Sequence, residues 1–200
     1  MESASRGSDL RPSSTVSIFS PPGGLLVWLF LIMELLLFGI GIVFFLIDRA
    51  SAREVFATAQ AEMSGGLGAI NTAVLLTSGY LVRRSVRLYE TGANGRSARY
   101  LWSAAGLGVL FVLLKSLEYQ QKLAAGFNME AGPFFQYYWS LTGFHLVHVV
   151  FGLAILMSMA AYLGRGRRFE TEDLGLETGA TFWHMCDLIW IMIFPVFYIL

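Results

Sequence analysis

Residues 178–200, TGATFWHMCDLIWIMIFPVFYIL, decide the fold. The run is apolar and long enough to cross a bilayer, which takes about 20 residues of helix. Yet it carries His184 and Asp187. Ionisable side chains are costly in hydrocarbon, so inside a span they mark a surface that packs, holds water or works. Their spacing of three sets both on nearly one helical face, and that face is expected to meet protein rather than lipid.

Four similar stretches precede it. Residues 25–47 are interrupted only by Glu34. Residues 63–82 are weaker, with Asn71, Thr72, Thr77 and Ser78, and stop at Arg83 and Arg84. Residues 100–123 are apolar as far as Leu114 and then carry Lys115, Glu118 and Lys122. Residues 134–163 exceed the length of a span and are expected to tilt or project. With residues 180–200 as the fifth, the prediction is an all-α integral membrane bundle of five transmembrane helices. Composition agrees: 56% hydrophobic against 14% charged leaves no room in 200 residues for a large soluble domain. Residues 1–22, Ser-rich with Arg6, Asp9 and Arg11, read as a mobile polar tail without the pattern of a secretory signal. Residues 23–200 read as the transmembrane domain.

Basic residues set the orientation. Arg6, Arg11, Arg83, Arg84, Arg87, Arg96, Arg99, Arg165, Arg167 and Arg168 fall on one side, and only Arg49, Arg53, Lys115 and Lys122 on the other. The N-terminus is therefore predicted cytoplasmic and the C-terminus outside, in a bacterial-type inner (plasma) membrane. A formal net charge of zero argues against a nucleic-acid partner. The single cysteine, Cys186, reads as a small buried residue rather than a disulfide partner.

At about 1.5 Å per residue, Glu34 lies near mid-membrane, as does His148, with His145 one turn nearer the outside. Lys115 and Glu118 fall in the outer part of the third span, His184 and Asp187 near the inner face. Lys115 with Glu118, and His184 with Asp187, read as structural pairs. Glu34 has no partner within a turn, so it is expected neutral or proton-exchanging, and it is the residue singled out. His145, His148 and Gly152 share one stripe, where the glycine allows close helix approach. Trp28, Tyr100, Trp102, Tyr119 and the aromatic run 134–139 read mostly as headgroup-level anchors. No metal or haem set is evident. A bundle haem commonly takes two facing histidines, and His145 and His148 sit on one helix. No catalytic triad, phosphate loop or dinucleotide fingerprint is present.

Five segments together resemble the subunit III family of haem-copper cytochrome c oxidases: LIMELLLFG (31–39), NTAVLLTS (71–78), FVLLKSLEY (111–119), FFQYYWSLTGFHLVHVVFG (134–152) and WHMCDLIW (183–190). The fourth is the most specific, with its Thr-Gly-x-His-x-x-His-x-x-x-Gly pattern. Lys115 before Glu118 and the Trp-His-Met-x-Asp segment are most similar to the short five-span NorE-like branch, associated with nitric oxide reductase and hence denitrification. The seven-span mitochondrial type has two more N-terminal helices, which help form its lipid-holding cleft.

The resemblance implies an accessory, non-catalytic subunit of a cytochrome c oxidase or nitric oxide reductase. Such a subunit stabilises the catalytic subunit, holds lipid and sustains proton uptake. It implies no cofactor bound directly, with haem, and copper or non-haem iron, in the partner subunits. It also implies a buried polar network of Glu34, Thr142, His145 and His148. Competing readings are an assembly factor for nitric oxide reductase, a small transporter, and a cofactor-bearing oxidoreductase in its own right.

Overall fold

The computed structural model describes residues 25–169 and 175–200; the predicted tail lies outside them. Among the described residues six helices follow in order: α1 Leu25–Ser51, α2 Arg53–Ala61, α3 Gly65–Glu90, α4 Asn94–Ala124, α5 Pro133–Gly164 and α6 Leu176–Tyr198. All but α2 are long and apolar enough to span a membrane. The chain is thus an all-α bundle of five spanning helices.

Helix limits run past the hydropathy limits. α3 continues through Arg83, Arg84 and Arg87 to Glu90, and α4 starts six residues before residue 100. Charges end an apolar run, but they do not end i→i−4 hydrogen bonding, which continues into the interface. α4 and α5 end instead on glycines with positive φ, Gly126 at 83° and Gly166 at 75°, which only glycine adopts cheaply. α5 starts on Pro133, where the missing N–H costs nothing. The short α2, nine residues with two charges, falls between the first two predicted spans. It is held by Phe56, fully buried edge-on against Phe45 and Phe134 at 5.3 and 6.2 Å.

The core sits among α3, α4, α5 and α6. α3 and α4 pack along much of their length, α5 packs on α4, and α6 contacts both α3 and α5. α1 is peripheral: 22% of its apolar stretch is buried, against 56% for α6, so most of α1 faces outward.

Lipid is as apolar as leucine, so these helices associate through close packing and buried hydrogen bonds rather than a hydrophobic drive. Trp183 of α6 shows how. It is fully buried between two glycines, Gly108 of α4 and Gly152 of α5, where an added Cβ would meet its ring at 2.7 and 2.9 Å. Serines bind α3 to α4, with Ser78 Oγ donating to the Ala104 carbonyl (2.8 Å) and Ser85 Oγ to the Ser97 carbonyl (3.0 Å).

Candidate functional site

Glu34 of α1, buried on the helix's one inward face with Phe38, finds its partner on α5. Its Oε2 lies 3.3 Å from His148 Nε2, in an ion-pair contact without hydrogen-bond alignment. His148 Nδ1 is 2.9 Å from the Phe144 carbonyl, which can only accept, so Nδ1 carries a proton. Nε2 is then the ring nitrogen turned toward the Glu34 carboxyl. Phe38, Phe144 and Phe182 surround the imidazole at 5.9, 4.6 and 6.4 Å. On its open side His148 lines an apolar groove of about 590 Å³ between α1, α5 and α6, walled by Leu26, Phe30, Phe151, Ile155 and Phe182 among others.

Lys115 and Glu118 meet at 3.2 Å, as the spacing suggests, but they form half of a larger cluster. Lys115 Nζ also donates to Tyr138 OH (3.0 Å) and Tyr198 OH (2.6 Å). Both tyrosines in turn donate to Glu118 Oε1, at 2.8 and 2.5 Å. An ammonium has three donors and all three are used, while the carboxylate balances its charge. Four aromatic rings face the ammonium, those of Tyr119, Tyr138, Trp190 and Tyr198, at 4.7–5.4 Å. The cluster is closed and neutral, and it ties α4, α5 and α6 together. Tyr138 and Tyr198 lie inside the bundle, which corrects the reading of Tyr138 as a headgroup anchor. The signal in the sequence was register: Tyr138 sits seven residues before His145, two turns up the same inward face.

The set Glu34, Thr142, His145 and His148 does not form one hydrogen-bonded network. Thr142 belongs with the tyrosines: it accepts from Tyr119 OH (2.7 Å) and donates to the Tyr138 carbonyl (2.5 Å). His145 is fully buried, stacks on Trp190 at 5.3 Å, and has no hydrogen-bond partner for either ring nitrogen among the described residues. His145, His148 and Gly152 lie along one inward strip of α5. Both imidazoles pack on Phe38 of α1, while on α6 His145 meets Trp190, His148 meets Phe182 and Gly152 meets Trp183.

His184 and Asp187 pair on α6, Nδ1 to Oδ2 at 3.1 Å. Asp187 is buried against α3, where Gly79 lacks the Cβ that would overlap Oδ2. His184 is partly exposed and lines a small pocket of about 130 Å³ with Arg83 and Glu177. Among the described residues, no three His, Cys, Asp or Glu side chains converge as a metal site. Cys186 is buried with a free thiol.

The family model for cytochrome c oxidase subunit III matches residues 24–200, all five spanning helices. Cytochrome c oxidase subunit 3 of Thermostichus vulcanus is 28% identical over 179 residues, 88% of this chain and 86% of that protein. The subunit 3 of Synechocystis sp. is 28% identical over 142 residues, 67% of this chain and 57% of that protein. That of Paracentrotus lividus is 30% identical over 130 residues, 64% of this chain and 48% of that protein. The chain thus spans little more than half of the Synechocystis relative and about half of the Paracentrotus one.

Proposed function

We propose that this chain, which belongs to the cytochrome c oxidase subunit III family, is a non-catalytic accessory subunit of a haem-copper respiratory complex in a bacterial-type inner membrane. The observation that carries the reading is a family match running through every spanning helix. In this reading haem and copper belong to partner subunits, and this chain stabilises the catalytic subunit and supports proton uptake. The Glu34–His148 pair supports the second role, because it sets a carboxyl and an imidazole 3.3 Å apart inside the bundle, two groups of the kind that hand on protons. The apolar groove beside His148 supports a third, the holding of a lipid acyl chain. The arginine-rich face, with Arg83, Arg84, Arg87, Arg165, Arg167 and Arg168, is assigned to the cytoplasm.

Within the family, Lys115 before Glu118 and the Trp183-His184-Met-x-Asp187 segment favour the NorE-like branch and a nitric oxide reductase as partner. The long match to an oxidase subunit of Thermostichus favours an oxidase.

Deleting the gene tests the reading. Haem absorption of the partner complex should persist in fresh membranes, while its turnover declines faster in sustained use. Oxygen and nitric oxide consumption unchanged in both rate and durability would refute it.

A further inference from the structure

The four core helices each contribute one buried residue to a single layer: Asn71 of α3, Phe111 of α4, His145 of α5 and Trp190 of α6. Ring contacts fix three of them. Phe111 stands edge-on to Trp190 at 4.9 Å and to His145 at 6.0 Å, and His145 stacks on Trp190. Register fixes the fourth. The serine bonds between α3 and α4 pair residue 78 with 104 and residue 85 with 97, so antiparallel counting sets Asn71 at the level of Phe111. The neighbour of Asn71, Thr72, accepts from Trp190 Nε1 at 2.9 Å, which places the same level against α6.

Two members of this layer are polar, and neither is satisfied. Both ring nitrogens of His145 and both amide atoms of Asn71 lack a hydrogen-bond partner among the described residues, and both side chains have no exposed surface. Buried polar atoms are rarely left so, and ordered water is the usual partner when protein supplies none. An imidazole offers one donor and one acceptor, and a carboxamide offers both kinds, so a water reached by both would find the two to four contacts that hold a buried water.

We infer that the Asn71–His145 layer is an internal water-binding site in the centre of the bundle. His145 lies one turn from His148, and both imidazoles pack on Phe38, at 6.5 and 5.9 Å. Water held at His145 is then the nearest solvent to the Glu34–His148 pair from the bundle side. The site does not depend on which complex the chain serves.

The test is water-edited solid-state NMR on the full chain in lipid, with its three histidines and its leucines isotopically labelled. His145→Phe keeps the stack on Trp190, removes both nitrogens, and assigns the His145 signal by its loss. Polarisation from water should reach the His145 ring as early as it reaches the partly exposed His184. Asn71→Leu should abolish that early transfer at His145 and leave it at His184. A His145 ring that gains signal only as slowly as core leucine would overturn the inference, and so would early transfer that survives Asn71→Leu. If Asn71→Leu does not fold, the unsubstituted chain still decides.

Discussion

Replacing Lys115 with methionine keeps most of the side-chain volume and removes one charge from the closed cluster of α4, α5 and α6. Glu118 then remains as a carboxylate with no counter-charge, still accepting from Tyr138 and Tyr198 on Oε1. Removing one partner of a buried pair costs about 3–5 kcal/mol, because the other charge stays buried and unpaired. Three donated hydrogen bonds are also lost, so Lys115→Met should fall in the upper part of that range. Glu118→Gln should cost a similar amount for the opposite reason, an uncompensated ammonium. Combining the two removes both charges and leaves glutamine to accept from the tyrosines. The remaining loss is neutral hydrogen bonding, about 1–2 kcal/mol. The double variant should thus be more stable than either single one. Titration with SDS in mixed micelles reads all three through tryptophan emission, to which Trp190, its ring 5.4 Å from Lys115 Nζ, contributes. Single variants within about 1 kcal/mol of the parent would mean that the charges are solvated. A double variant equal to the sum of the singles would mean that they are not coupled. Either result refutes the closed cluster.

Gly79→Ala places a Cβ against Asp187 Oδ2 and should cost about 1–3 kcal/mol, read by the same titration. Its destabilisation should shrink in an Asp187→Ala background. Trp183→Ala empties the slot between Gly108 and Gly152 and should cost about 3 kcal/mol or more, lowering yield and melting temperature in detergent. Glu34→Gln preserves a polar partner for His148 but removes the ionisable carboxyl. Assembly should stay near normal while turnover of the complex loses durability, followed by oxygen or nitric oxide consumption over sustained use.

Architecture was legible because lipid imposes length. Five apolar runs of spanning length dictate five helices, since every backbone group must bond within its own segment. Local pairs were legible too, as a spacing of three on a helix brings Lys115 to Glu118 and His184 to Asp187. What sequence did not show were the partners between helices. Glu34 and His148 are more than a hundred residues apart, and nothing local aims one at the other. Tyr198 reaches Lys115 only because α6 runs up against α4 at the far end of the bundle. Aromatic residues misled for a physical reason. Tyrosine near a span end suits the headgroup region, but its hydroxyl suits a buried ammonium equally well. Composition cannot tell these apart, whereas the inward register of Tyr138 with Thr142 and His145 does.

The chain is expected to work as a subunit beside a haem-bearing enzyme. Affinity purification of the tagged chain in mild detergent, with mass spectrometry and an absorption spectrum of the eluate, tests it most directly. The expected result is a stoichiometric catalytic partner whose haem gives the spectrum. A colourless chain eluting alone, or a haem spectrum without any partner, would contradict it.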